Sequence, residues 1–521
     1  MFTNFTVEAG WKRDLALIVL PALAMFVVGM NTHSPSMFAD GDTNWHVATG
    51  RWILAHGRVP ATDPFSFTVA GHPWVTHEWL SEVLLALVYT VSGWSGVMVL
   101  TSAAVAAVMI LLATELRRWL GTLSVIATLG LSVALLLPHY MARPHIIALP
   151  LMVIWTTQLI KARRCNRTPP LWLLPIMTLW ANLHGSFIFG LAFTSFFAVE
   201  AVLEATGWVG NAPPAVPDRQ RAPIFSPEVM AVAKRWGAFL AGAGLMALIT
   251  PNGIAGLIYP LHVMAMKNLQ SIIEWQSADF QKISSLQMAI FFTLAVCLYR
   301  GVRIPAVRLG LLLLLLYMSL QHVRQEFVLA VIGPLLLAEP LSRALEPQRA
   351  AVAPVTLFPS LREIAIPASA AGLVFIAVAA VRLALPEVRT DRNTVPVSAL
   401  KHVPPNLAAK PVFNDYSFGG WLIFNGVKPF MDGRSDMYGD DLLKLYLDVN
   451  SGHPATVSSA FQHYGIQWTI LQPAAPLVAL LDSTPGWHRI YADKWAVVQT
   501  RVDTLRYRPK NRGDASLPQT D

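Results

Sequence analysis

Residues 39–82 read ADGDTNWHVATGRWILAHGRVPATDPFSFTVAGHPWVTHEWLSE, a polar stretch rich in Asp, His, Trp and Pro. An apolar run at 15–31 precedes it and another begins at Leu80. A chain that crosses a bilayer spends acids and imidazoles near the membrane mainly where they do chemistry, bind a ligand or order a loop. This stretch is therefore where a functional reading begins.

The flanking sequence fixes the class. Of 521 residues, 54% are hydrophobic and 13% charged, with mean hydropathy +0.48. Soluble domains carry about a quarter charged residues, so this is an integral membrane protein. Runs long enough to cross the hydrocarbon, roughly 20 residues each, recur along residues 15–383. They lie at 15–31, 80–96, 97–113, 120–137, 146–160, 171–180 continuing to about 198, 238–249, 286–298, 309–320, 327–337 and 364–383. The expectation is 11 to 13 spans, uncertain around residues 80–118, where two crossings would put Arg117 and Arg118 out of parity with the other basic loops.

The formal charge of +8 sits in those loops, at Lys12-Arg13, Lys161 to Arg164, Lys234-Arg235, and Arg300 with Arg303. Basic loops mark the cytoplasmic side, which excludes nucleic acid as the reason for the charge and makes membrane lipids the surroundings. Lys12-Arg13 precedes a first helix read as retained, with a cytoplasmic N-terminus and the 34–79 loop outside. Cys165 and Cys297 suggest neither a disulfide framework nor a metal cluster.

Beyond residue 383 the composition turns to that of a soluble domain, 384–507, with strands expected at 411–413, 465–471 and 495–499 and helices at 441–449 and 457–464. Residues 508–521 read as a disordered tail and 211–227 as a proline-rich loop. The domain organisation expected is a bundle over 1–383 and a small outer α/β domain.

Asp42 stands just after the first span, followed by Trp45 and His46. A carboxylate there can act as a general base or bind a metal that neutralises a phosphate; it can equally cap a helix. Asp63, before Pro64, reads as a turn-ordering residue. Glu78 and Glu82 share a helical face, whereas His77 adjoins Glu78. Arg143, between His139 and His145, has the planar fork that suits a phosphate, or it snorkels to the interface. His184 interrupts an apolar run in WANLHG (180–185), and TPNG (250–253) is a second interruption. Such breaks are tolerable only where protein or water satisfies the freed backbone. Glu274, His322 and Arg324 are further polar insertions beside spans. In the soluble domain Asp432 and Arg434 suggest a structural pair.

GDTNWH (41–46), DPFS (63–66), EWL (78–80), WANLHG and PNG (251–253) together resemble the GT-C superfamily of polyprenyl-phosphate-sugar-dependent glycosyltransferases. The resemblance is to bacterial members of the aminoarabinose-transferase and protein-mannosyltransferase class, over residues 15–383. It implies a polytopic α-helical GT-C bundle in a bacterial inner membrane with a periplasmic C-terminal domain. It also implies an inverting transferase taking a polyprenyl-phosphate-sugar donor to a periplasmic acceptor. Asp42 would be base or metal ligand, with His46 and Glu78 positioning sugar or acceptor. Arg143, His184, Glu274, His322, Arg324 and Asp63 form the candidate substrate-binding set, with Arg143 or Arg324 on the phosphate. No cofactor is fixed, and a divalent cation stays open. The chain has Asp42-Thr43 where several members carry an Asp-Glu pair.

Three competing readings follow. A transporter would show paired broken helices in two halves, and no such repeat is present in the sequence. A membrane scaffold in envelope polysaccharide assembly would need no polar cleft. An oligosaccharide ligase with a diphosphate-linked donor would want more cations at the leaving group than the sequence clearly offers.

Overall fold

A computed structural model describes residues 2–31, 37–207, 223–348 and 361–501. The expected tail at 508–521 and most of the loop at 211–227 lie outside these residues. The chain divides into two compact units: Met1–Thr62 with Pro73–Val388, and Asp63–His72 with Arg389–Asp521. Ten residues of the expected 34–79 loop thus belong to the second unit.

The first unit is helical: α1 (Phe2–Gly29), α2 (Asp42–His56), α3 (Trp79–Trp119), α4 (Thr122–Leu136), α5 (Pro144–Arg164), α6 (Leu173–Leu183), α7 (Phe187–Ala205), α8 (Pro227–Ala247), α9 (Gly253–Met264), α10 (Ser285–Tyr299), α11 (Ala306–Gln321), α12 (Glu326–Leu345) and α13 (Leu361–Ala384). Five helical segments among the described residues are long and apolar enough to cross a membrane, and shorter apolar helices accompany them. The protein is a polytopic α-helical membrane protein. Leu123, Ile283 and Tyr299 are largely exposed, as side chains that face lipid would be.

The two runs read at 80–96 and 97–113 fall within α3, which is two helical segments meeting at a sharp break at Ser92 and Gly93 rather than at 96–97; Gly96 lies close against the Val88 carbonyl across that break. Gly93 has φ +58°, which costs glycine little and a residue with a Cβ more.

The bundle carries polar layers at both ends of its helices. Arg143 precedes the first turn of α5 and Arg163 lies in its last, a separation of about 30 Å along the helix. At the second end Arg308 of α11 donates to Glu200 of α7 at 2.9 Å and reaches Glu339 of α12 at 3.3 Å, and Arg163 pairs with Glu204. Arg117 pairs with Asp14. These buried pairs cross-link the helices at the end opposite Arg143.

α2 lies against α3. Gly50 makes the close approach possible, because a Cβ there would meet the Glu82 carbonyl oxygen at 1.9 Å. The break between α6 and α7 is satisfied by Asn182. Its Nδ2 donates to the Thr178 and Ile249 carbonyls, both at 2.8 Å, and its Oδ1 accepts the Trp79 indole N–H at 2.6 Å. Ser81 Oγ donates to the Leu183 carbonyl at 2.7 Å. Protein groups thus replace the lost helical bonds.

The second unit is a small α/β fold with a four-stranded sheet of order β1-β2-β4-β3. Its strands are β1 (Val412–Asn414), β2 (Trp468–Leu471), β3 (Trp487–Ala492) and β4 (Val497–Arg501). β1 and β2 are parallel, so helices Ser435–Asn450 and Pro454–His463 lie in the connection. The other pairings are antiparallel. Phe413, Phe430 and Tyr446 pack in one hydrophobic cluster, and Val412, Leu422 and Trp468 in another. Arg434, fully buried, donates to Asp432 at 2.8 and 2.7 Å and to Asp63 at 2.7 Å, and Tyr438 donates to Asp432 at 2.5 Å. Asp63 also accepts the Phe65 and Ser66 backbone N–H groups at 3.0 Å. Burial works against its charge, but Arg434 and Ser66 outweigh it and hold the carboxyl below its usual range.

Two outcomes follow in thermal denaturation of the full chain. Gly50→Ala should destabilise it by about 1–3 kcal/mol through overpacking against α3. Arg434→Ala should cost about 3–5 kcal/mol, because it leaves two buried carboxylates without their partner.

Candidate functional site

Local sequence sets the geometry at the upper end of the first unit, where α5 begins. Pro144 opens α5, and the residue before a proline is held out of helical geometry; Arg143 accordingly has φ −127° and ψ 157°. The Ala142 N–H donates to the Met37 carbonyl at 3.0 Å, which brings Arg143 beside the start of α2. There Asp40 Oδ1 accepts the Asp42 N–H at 3.0 Å, so the first acid orders the helix start that carries the second. Glu274 sits in a short 3-10 turn, Ile273–Trp275. That turn is held to the end of α11 by His322 Nδ1 on the Trp275 carbonyl, at 2.8 Å, and by the Val323 N–H on the Gln276 carbonyl, at 3.0 Å. Arg324 follows directly.

The result is one guanidinium among three carboxylates. Arg143 uses Nε on Asp40, Nη2 on Asp42 and Nη1 on Glu274, the last at 2.7 Å. Arg324 lies 3.5 Å from Glu274 and over the Trp275 ring at 5.4 Å, with 28% of its side chain exposed. Burial, then the Asp40 charge, pushes Asp42 up to about 8, and Arg143 offsets only part of this. Burial raises Asp40 as well. Glu274 goes the other way: burial opposes its charge, but Arg143 and then Arg324 hold it below the usual range. Burial and the Asp40 charge thus raise the proton affinity of the Asp42 carboxyl while Arg143 stays its partner.

A second cluster surrounds Glu78 at the start of α3. His184 Nε2 is 3.1 Å from Glu78, His77 Nε2 3.5 Å and His46 Nε2 3.7 Å. His46 Nδ1 also lies 3.4 Å from Glu82. Burial works against the Glu78 charge, but His77, then His184 and His46, hold the carboxyl well below its usual range. His46 is pushed down to about 3 by burial, against the pull of Glu78, so it is neutral. The His184 tautomer is fixed: Nδ1 accepts the Ser186 N–H at 2.9 Å, so Nε2 carries the hydrogen and donates to Glu78. His46 lies one helical turn from Asp42, on the same face of α2.

Arg143, Asp42, Glu274 and Arg324 are thus brought together, and His46, Glu78 and His184 form a neighbouring group. His322 orders the backbone beneath Arg324. Asp63 is instead engaged by Arg434 within the second unit. The acid added by the structure is Asp40. The second carboxylate lies two residues before Asp42, not one after it, and the signal was the Asp-Gly-Asp spacing.

Asp40, Asp42 and Glu274 are hard oxygen donors of the kind that bind Mg²⁺ or Mn²⁺. The guanidinium of Arg143 occupies their point of convergence, however. Among the described residues no three His, Cys, Asp or Glu side chains are arranged to hold a metal ion. The residues present do not fit a resident divalent ion.

No protein-family model matches the chain, and no curated protein matches its sequence. Solved structures do. The chain is similar to the oligosaccharyltransferase of Archaeoglobus fulgidus in its apo form, with TM-score 0.50 and 11% identity, over 88% of this chain and 69% of that one. The same organism's AglB, in complex with an inhibitory peptide and a dolichol-phosphate, aligns with TM-score 0.49 and 11% identity over 96% and 75%. ArnT from Cupriavidus metallidurans bound to undecaprenyl phosphate aligns with TM-score 0.31 and 14% identity over 93% and 97%. The chain has the GT-C fold.

The raised Asp42 gives a stability signature. A carboxyl raised in the folded state contributes stability fully below its unfolded value and loses it as pH rises to the folded value. Between pH 5 and 8, Asp42→Asn should gain in Tm relative to the wild type, and parallel Tm–pH curves would contradict the assignment.

Proposed function

We propose that this GT-C chain transfers a glycosyl group from a lipid-phosphate-linked donor to an acceptor on the outer side of the membrane, with Asp42 taking the acceptor's proton. The observation that carries this reading is Asp42 itself. It is a carboxyl raised to about 8, held by Arg143 and 19% exposed beside a partly exposed Arg324. The basic run at Lys161–Arg164, at the other end of α5, supports an outer position for this centre.

In the step proposed, the acceptor's oxygen or nitrogen attacks the anomeric carbon as its proton passes to Asp42. The bond from that carbon to the phosphate oxygen breaks, and its electron pair leaves with the phosphate, inverting the carbon. Arg143 binds Oδ2 of Asp42, so proton acceptance falls to Oδ1. Arg324 meets the negative charge on the leaving phosphate, the kind of fixed cation that stabilises developing charge. Glu274 holds both arginines in place. His46 and Glu78 flank Asp42 as positioning residues for sugar or acceptor, and His184 orients Glu78. An open groove of about 580 Å³, mainly apolar, with Trp79, Leu179 and Pro251 beside Thr178, Asn182 and Thr250, suits the prenyl chain.

An oligosaccharide ligase using a diphosphate-linked donor is the second reading, favoured by the fold likeness to an oligosaccharyltransferase. Purified protein supplied with polyprenyl-phosphate-linked and polyprenyl-diphosphate-linked sugars separates the two by which donor is consumed. In either case Asp42→Asn should lower transfer by about 10²- to 10⁴-fold, the usual contribution of a general base, with no loss of Tm. The wild-type rate should rise with pH through about 8. Unchanged transfer by that variant would remove Asp42 as the base.

A further inference from the structure

The centre has a cation of its own. Each of the three nitrogens of Arg143 addresses a different carboxylate, from Asp40, Asp42 and Glu274, and the side chain is only 7% exposed. These acids come from two distant parts of the chain, and no main-chain hydrogen bond joins the Asp40–Asp42 segment to the Glu274 turn among the bonds described. The guanidinium is what they share.

It is also fixed in place. Arg143 is the residue before α5, its geometry is set by Pro144, and its N–H donates to the Met141 carbonyl at 2.8 Å. A guanidinium keeps its charge at any accessible pH. A divalent ion approaching the same oxygens would have to displace a permanent positive charge that cannot be neutralised. Arg324, 3.5 Å from Glu274, adds a second positive charge at the edge.

Among the described residues the neighbouring Glu78 cluster forms no metal-holding group either. His184 Nδ1 is committed to the Ser186 N–H, so the Nε2 that faces Glu78 carries a hydrogen and has no lone pair for a metal.

We propose that Arg143 stands in the place of a divalent metal: its guanidinium holds Asp40, Asp42 and Glu274 together, and a metal site opens there only when that side chain is removed. For sugar transfer, and resting on the function proposed above, this means a reaction that needs no divalent ion.

The test is a Mn²⁺ titration of the full-length protein in lipid nanodiscs, with free Mn²⁺ followed by electron paramagnetic resonance and Tm recorded alongside. The wild type should take up no stoichiometric Mn²⁺ at up to 1 mM on the order expected of weak surface sites, and its Tm should be indifferent to Mn²⁺ and to EDTA. Arg143→Ala should bind one Mn²⁺ per chain at least about tenfold more tightly than any wild-type site, with a rise in Tm. Adding Glu274→Gln should abolish that binding.

Stoichiometric Mn²⁺ uptake by the wild type that Glu274→Gln removes would overturn the proposal. So would an Arg143→Ala protein that binds Mn²⁺ no better than the wild type. If Arg143→Ala does not fold, Arg143→Met, which keeps an apolar stem, replaces it, and the wild-type arm is decisive by itself. A chain that transfers no sugar yet gains Mn²⁺ only on loss of Arg143 would refute the proposed function and leave this inference intact.

Discussion

Arg143 joins Asp40, Asp42 and Glu274, and the upper end of the helical unit is organised around that contact. Three carboxylates within reach of one another are costly to bury without a cation. The guanidinium supplies that cation from the start of α5, where Pro144 fixes the approach of its side chain. The rest of the local fold serves the convergence. Gly50 lets α2 settle on α3, which sets Asp42 and His46 beside the Glu78 end of that helix. His322 and Val323 hold the Glu274 turn to the end of α11, so that Arg324 arrives on the other side of Glu274.

The two ends of the bundle use charge differently. At the Arg163 and Arg308 end, acids and bases pair with one another across α5, α7, α11 and α12, an arrangement suited to holding helices together. At the Arg143 end, acids gather around one base and remain partly exposed, and one of them is raised far above its usual range. Paired charges stabilise, whereas a raised and accessible carboxyl can move a proton. That contrast, over about 30 Å of one helix, separates a structural polar layer from a reactive one.

Much of this was readable residue by residue. Asp42, Arg143, Glu274 and Arg324 each stand out because a charged side chain beside a membrane span needs a reason. The turn role of Asp63 was visible from the proline that follows it. Their meeting was not visible, because 143, 274 and 324 are brought to Asp42 by helix packing, which leaves no local pattern. Asp40 is harder to read as a partner acid, because the family pattern points to the residue after Asp42 whereas the second acid here precedes it. The two runs within α3 were legible, and the break between them falls at Ser92 and Gly93, where a polar residue and a glycine interrupt a run that is apolar on both sides. In the second unit β3 escaped notice, since WHRIYA (487–492) mixes polar and aromatic residues on a half-buried edge strand. The strands at the other side of the sheet, β1 and β2, announce themselves by burial on both faces.

The most direct test of the central claim is a structure of the protein with a bound polyprenyl phosphate or a non-hydrolysable sugar-phosphate analogue. The expected result is a phosphate against Arg324, with Arg143 still joined to its three carboxylates and the anomeric carbon facing Asp42. A phosphate held at the Arg163 and Arg308 layer, or one that draws Arg143 away from Asp40, Asp42 and Glu274, would contradict it.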